Sequence, residues 1–358
     1  MANVKYTKVV RLIERRLQHG DYALGGLPGE ERLAIEAGVS RMTVRRALDH
    51  LEGEGILNQQ TNGRRTVNWD RLGLERTVRV AFLAPAYDST IVNHLRIATS
   101  RTVDECGGML RPVDYVHWDD PVVLDVFQAF DGVFLVSQAQ KMPERVMKNL
   151  EDQAHRVVML DTDMSELGIP SINCFPYVFI QRMLDKLGEL GHTHVDCFNT
   201  QPYTQVIEKR IWQWELWKST HQATGELINE PVQAYKNAAD HAYEVMMGRL
   251  RSGYRPSALI CLTEHAALGV YAALYDHGLK VGQNVSLITI GEGAGGDFLR
   301  PSLYSLKYTD PSPFIRIAYQ WMADQDQNHR WRGPLLMQPP EPQFFEGSSI
   351  GPPLAMEV

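Results

Sequence analysis

The run Gly38-Val39-Ser40-Arg41-Met42-Thr43-Val44-Arg45-Arg46-Ala47-Leu48-Asp49-His50-Leu51 constrains this chain more than any other stretch. Val44, Ala47, Leu48 and Leu51 recur at helical spacing, which predicts a helix with one buried stripe. Ser40 stands where a hydroxyl satisfies an orphan amide of the first turn. Arg41 and Arg45 are four residues apart, hence on one face, with Thr43 near its edge. A guanidinium bonds guanine bidentately in a major groove, and a threonine meets a phosphate or a thymine methyl. Taken alone, the run reads equally well as a DNA-reading helix or as an ordinary amphipathic surface helix.

Its neighbours decide between the two. Upstream stands Gly25-Gly26-Leu27-Pro28-Gly29-Glu30-Glu31-Arg32-Leu33-Ala34; downstream stand Glu52-Gly53-Glu54-Gly55-Ile56-Leu57 and Thr61-Asn62-Gly63-Arg64-Arg65-Thr66-Val67. In order and spacing this set resembles the winged helix-turn-helix of GntR-family regulators over roughly the first seventy residues. The resemblance implies a DNA-contacting set of Ser40, Arg41, Met42, Thr43, Arg45 and Arg46 on the recognition helix. It adds Asn62, Gly63 and Arg64 at the tip of the wing. Asn-Gly is also a two-residue hairpin signal in its own right, and arginine suits a minor groove. The chain departs from the family at Gly29, where serine usually caps the second helix, and at Glu31, where arginine is common.

Charge is divided along the chain. The net value of −7 argues against nucleic acid only if it is spread evenly. Residues 1–76 hold 13 Lys+Arg against 10 Asp+Glu, so the remaining residues carry about −10. A modestly basic module on an acidic body is expected to turn one face to DNA and repel it elsewhere. The four cysteines, Cys106, Cys174, Cys197 and Cys261, form no Cys-x-x-Cys pair and read as small buried hydrophobes. The histidines show no metal-ligand spacing, so neither a metal nor a cofactor is expected. The first residues are charged and amphipathic rather than signal-like, and no apolar run is long enough for a bilayer. A cytoplasmic protein with no membrane partner is therefore expected.

In chain order, Lys8 to Gln18 predicts a first helix stopped near Gly20, and a second begins near Gly29. Residues 1–68 form the expected DNA-binding domain and 69–77 a linker. From 78 to 350 the pattern alternates strands with helices: Val78–Ala84, Leu110–Tyr115, Asp131–Ser137 and Arg156–Asp161 are strands of one half. His194–Phe198, Val232–Tyr235, Ala258–Leu262, Val285–Ile290 and Tyr304–Tyr308 are strands of the other. The expected class is α/β, with parallel sheets in two lobes facing each other across a cleft behind the winged helix-turn-helix. The Pro/Gly-rich tail, Pro334 to Pro353, is an extended cover or a crossover.

Ligands of open α/β sheets sit beyond the carboxyl ends of strands. That rule selects Tyr87, Asp88, Ser89, Ser137, Gln138, Asp161 and Asp163 in the first half, and Thr263, Glu264 and Glu292 in the second. Ordered phrases such as Asp131-Gly132-Val133-Phe134-Leu135, Leu190-Gly191-His192 and Val285-Ser286-Leu287-Ile288-Thr289-Ile290-Gly291 make this region resemble the effector domain of the LacI/GalR family. The whole is similar to the arrangement of arabinose repressors. The resemblance implies that Arg210 holds sugar hydroxyls. Thr263-Glu264 stands where the family often has Asn-Asp, Glu292 where it has the first aspartate of Gly-x-Asp, and Asn173-Cys174 where it has Asp-Asn. Plainer readings stand beside these: Arg210 as a surface ion pair, Glu264 as a partner of a helix dipole, Asp161 as a loop cap. Trp214 and Trp217 read as core or interface residues rather than a sugar-stacking pair.

The expected function is a ligand-responsive transcriptional regulator acting as a repressor. Its partners are double-stranded operator DNA, a sugar or related small-molecule effector, and a second copy in a homodimer. The alternative is a DNA-tethered enzyme acting on a small metabolite. Against it, no Gly-x-Ser-x-Gly elbow, phosphate loop or cofactor-lysine motif stands out. A smaller antiparallel effector domain, as in other GntR proteins, fits the strand–helix alternation poorly.

Overall fold

The computed structural model describes residues 2–18, 21–22, 26–60, 63–68, 78–86, 89–138, 140–233, 236–291, 295–324 and 331–354. The head opens with α1 (Ala2–Gln18), which starts six residues before the expected Lys8, and continues with α2 (Glu30–Ala37) and α3 (Arg41–Gly53). The wing strands β1 (Leu57–Gln59) and β2 (Arg65–Val67) pair antiparallel. Val9, Ile13 and Leu17 of α1 meet Leu33 of α2 and Val44, Ala47, Leu48 and Leu51 of α3 in one small core. Gly29 caps α2 without a side-chain bond, and Gly38 closes it at φ +64°, where a residue with a Cβ is strained.

The first lobe of the body begins with β3 (Arg79–Pro85), α4 (Thr90–Glu105) and β4 (Met109–Tyr115). It continues through α5 (Pro121–Ala129), β5 (Gly132–Val136), α6 (Glu144–Asp152), β6 (Val157–Leu160) and the short β7 (Ser171–Ile172). The central strands β5 and β6 are buried at every position, as strands covered on both faces must be. The second lobe holds α7 (Phe179–Glu189), β8 (Asp196–Asn199), α8 (Gln205–His221), β9 (Leu227–Asn229) and α9 (Ala238–Arg251). It also holds β10 (Ala258–Cys261), α10 (Glu264–Asp276), β11 (Ser286–Gly291) and β12 (Tyr304–Lys307).

The chain then returns. Helix α11 (Ser312–Ala323) packs on α4, with Tyr319 against Gly108 and Met322 against Gly132, so it belongs to the first lobe. Strand β13 (Leu336–Met337) extends the first sheet beside β7, and β14 (Gln343–Phe345) pairs antiparallel with β12 in the second. The sheet orders are β13-β7-β6-β5-β3-β4 and β14-β12-β11-β10-β8-β9. Three segments therefore cross between the lobes, and the tail is one of them.

One strand is corrected. The strand placed at Val232–Tyr235 is β9 at Leu227–Asn229 instead: Glu226 N donates to the Asp196 carboxylate, and Gly225 lies against the Val195 carbonyl, so pairing with β8 begins earlier. The residues proposed as a linker, 69–77, lie outside the described residues, as does the helix stop at Gly20.

Candidate functional site

Two sites follow from this architecture. On the head, Ser40 caps α3 by accepting from Thr43 N at 3.3 Å, and its hydroxyl contacts Thr43 Oγ1 at 2.9 Å. With Val44, Ala47, Leu48 and Leu51 buried, Ser40, Arg41, Met42, Arg45 and Arg46 are left exposed; Thr43 is half-buried at their edge. Met42 is 61% exposed on the same face. Gly63 turns the wing at φ +77°, and Arg64 beside it is exposed. Asn62 lies outside the described residues.

The two reading arginines are held by one carboxylate. Glu30, the first residue of α2, accepts from Arg45 Nε at 3.0 Å and Nη2 at 2.9 Å, and from Arg41 Nε at 3.0 Å. Arg65 of the wing reaches the same Glu30 at 3.3 Å, Asp49 at 2.8 Å, and Glu52. Arg45 above all, and then Arg41 and Arg65, hold the Glu30 carboxyl down at about 2, against the partial burial that opposes them. Sequence reasoning missed this node, although Glu30 sits inside the Leu-Pro-x-Glu phrase.

The second site is a cavity of about 430 Å³ between the lobes. From the first lobe it is lined by Ser89 after β3, Ser137, Gln138 and Gln140 after β5, and Asp161 and Thr162 after β6. From the second come Gln201, Thr204 and Gln205 after β8, Arg210 from α8, and Thr263 and His265 after β10. Apolar patches from Ile91, Val92, Val116, Val206 and Val232 complete the wall. Every polar group except Arg210 follows the carboxyl end of a strand.

Arg210 is 2% exposed; its Nη1 donates to the Leu262 carbonyl at 2.7 Å and its guanidinium lies 5.7 Å from the Phe175 ring. It is part of the cavity wall rather than a surface ion pair. Facing it from the other lobe, Asp161 sits in the left-handed region at φ +60°. Burial pushes the Asp161 carboxyl up to about 6, and the Arg210 charge only partly offsets that. The Gln138 amide nitrogen is buried without a hydrogen-bond partner among the described residues.

Two expected site residues lie elsewhere. Asp163 is absent from the wall because its carboxylate turns back to accept from Ser165 N at 3.0 Å and Ser165 Oγ at 2.6 Å. Glu264 is 5% exposed and accepts from Gly296 N at 2.8 Å, tying down the loop after β11. Thr263 both lines the cavity and caps α10. Tyr87, Asp88 and Glu292 lie outside the described residues. Gln140, Thr162, Gln201, Thr204, Gln205 and His265 were missed; applying the strand-end rule to β8 recovers three of them. Trp214 is fully buried and donates to the Val195 carbonyl at 2.9 Å, and Trp217 donates to Asp185, so both are core. Cys174, Cys197 and Cys261 are buried and Cys106 is half-buried. Among the described residues no helix is long and apolar enough to cross a membrane.

A helix-turn-helix head with an outward arginine face, joined to two sheets that enclose a largely apolar cavity set with polar groups, has the build of a ligand-responsive DNA-binding regulator. Residues 5–67 match the model for bacterial regulatory proteins of the gntR family, and residues 184–342 match that for a periplasmic binding protein-like domain. The chain is thus a GntR-type helix-turn-helix joined to a periplasmic-binding-protein-like body.

Solved structures share the fold at low identity. The lac repressor dimer bound to operator and the anti-inducer ONPF has 15% identity over 79% of this chain and 97% of that one, TM-score 0.62. A LacI family regulator from Mycobacterium smegmatis has 14% identity over 76% and 99%, TM-score 0.61. The LacI family regulator CCPA from Weissella paramesenteroides with bound sucrose has 20% identity over 77% and 100%, TM-score 0.62. No curated protein sequence matches the chain.

Proposed function

We propose that the protein is a cytoplasmic transcriptional repressor that binds operator DNA as a homodimer and is controlled by a sugar or related small metabolite held between its lobes. The observation that carries this reading is the cavity wall, to which both lobes contribute: Asp161, Ser89, Ser137 and Gln138 from one side, Arg210 and Thr263 from the other. Hydroxyl-rich ligands suit such a mixture of amides, hydroxyls and single opposite charges. A ligand that bridges the lobes stabilises one of their arrangements over another, and this difference in binding energy is what moves the heads. Support for the effector class comes from the sucrose-bound Weissella regulator, and for the dimer on DNA from the lac repressor structure.

On DNA, Arg41 and Arg45 read bases, while Ser40, Met42, Thr43 and Arg46 contact the groove walls and the wing tip at Gly63 and Arg64 enters the neighbouring minor groove. Two heads related by a two-fold axis read a pseudo-palindromic site.

Two experiments test the reading. Thermal-shift screening against sugars and related metabolites should find a ligand that raises the melting temperature. At a hundredfold excess over Kd the stabilisation is about 2.7 kcal/mol, and Arg210→Ala should abolish it; an undiminished shift removes Arg210 from the site. In a salt-controlled shift assay, Arg45→Ala should cost about 1–3 kcal/mol of operator affinity and relax base preference at one position. Unchanged binding overturns the role given to α3.

A further inference from the structure

We propose that the outer face of α1 is a second DNA-contacting surface, which grips the phosphate backbone beside the sequence read by α3. The inference rests on the reading of the head as DNA-binding and extends its footprint. Lys5, Lys8 and Arg11 are exposed on α1, and Arg15 continues the row. Helical spacing sets Lys8, Arg11 and Arg15 opposite the buried face of Val9, Val10, Ile13 and Leu17, with Lys5 at the flank nearest the reading helix.

Two observations single this row out. Most other arginines of the head are already paired: Arg16 and Arg32 with Glu36, Arg41 and Arg45 with Glu30, and Arg65 with Glu30, Asp49 and Glu52. Among the described residues, Lys5, Lys8 and Arg11 have no ion-pair partner. The row is also continuous with the reading face, because Lys5 shares a surface depression with Ser40 and Arg41. Further along, Lys8, Arg11 and Arg15 border a groove closed by Glu36 and Ala37 at the end of α2. Glu36 is neutralised by its two arginines, which leaves Glu31, in the depression beside Lys5, as the one carboxylate of these two depressions outside an ion pair among the described residues. The span from Lys5 to Arg11 is about 9 Å of helix axis, enough to follow neighbouring phosphates of one strand. Three cations, Lys5, Lys8 and Arg11, kept outside ion pairs among the described residues on a chain of net charge −7 are matched by a polyanion.

The test uses the full chain carrying Lys8→Gln together with Arg11→Gln. Both positions are exposed, so folding is preserved. Affinity is measured against salt on a long duplex that the protein selects from random sequence, and on an unrelated duplex of equal length. Each lost phosphate contact flattens the log–log salt slope by about 0.9, so the double variant should be shallower by about 1.8. It should lose affinity equally on both duplexes with unchanged base preference. Trimming the duplex to the bases read by α3 should erase the difference from wild type. A body control, Lys148→Gln with Arg251→Gln, should keep the wild-type slope. An unchanged slope in the α1 variant, or a loss confined to the selected duplex, overturns the proposal. A wild-type protein that binds neither duplex overturns the reading of the head, and with it this inference.

Discussion

Asp161→Asn should make the ligand-free protein more stable, and only above acidic pH. The carboxyl of Asp161 is raised from 3.8 to about 6 by burial on the cavity wall. In the unfolded chain it returns to the lower value. The folded state therefore holds a proton that the unfolded state has lost between these two pH values, and stability falls as pH rises through that window. Above it, the ionised carboxylate costs the fold about 3 kcal/mol relative to its protonated form. The wall is half-buried and faces a solvent-sized space, so about 1–2 kcal/mol of this is recoverable by a neutral side chain. Asparagine is the suitable replacement because it is nearly the same size and tolerates the left-handed backbone that Asp161 adopts. Urea unfolding of both proteins should show the variant ahead by about 1–2 kcal/mol at about pH 7.5, and level with wild type below pH 3.8. A difference that stays constant with pH, or an asparagine variant that is weaker at neutral pH, would refute the reasoning.

Two further outcomes are expected. Glu30→Gln releases Arg41, Arg45 and Arg65 from their shared carboxylate, so binding to unrelated DNA should rise. The ratio of selected to unrelated affinity should drop roughly tenfold, or about 1.4 kcal/mol, in a competition shift assay; a preserved ratio would show that Glu30 plays no part in aiming the arginines. Gly269→Ala places a Cβ 2.2 Å from the Ala239 carbonyl and 2.8 Å from Ala242 Cβ, where α9 and α10 are pressed together. It should cost about 1–3 kcal/mol in urea unfolding, and a change within about 0.5 kcal/mol would mean that the helices separate freely.

The head was legible because its signals are local. A cap and a stripe at helical spacing each act within a few residues, and Ser40 and Val44 sit where those rules put them. The wing differs, because the Gln59↔Arg65 register and the Gln60 N to Arg64 carbonyl bond leave three residues in the loop rather than the two of an Asn-Gly hairpin. The double-wound body was legible for a related reason: apolar runs buried on both faces have few alternatives. The cavity was legible only in outline. The strand-end rule finds where a residue stands, as at Ser89, Ser137, Gln138, Asp161 and Thr263, but not where its side chain points. Asp163 and Glu264 obey the rule in position and turn away, because Ser165 and the Gly296 amide lie nearer than the cavity. Gln201, Thr204 and Gln205 follow a strand whose exit carries no charged residue, so nothing in their chemistry drew notice. The Glu30 node was hidden because its partners come from α3 and from β2, thirty-five residues away.

The three crossings between lobes bear on how the molecule is made. The first sheet and its cover are incomplete until α11 and β13 arrive, more than 130 residues after β7. The head, by contrast, closes its own core from residues between Val9 and Leu57, with nothing borrowed from the body. A chain stopped between β7 and α11 would thus pair a closed head core with a body still missing a helix and an edge strand.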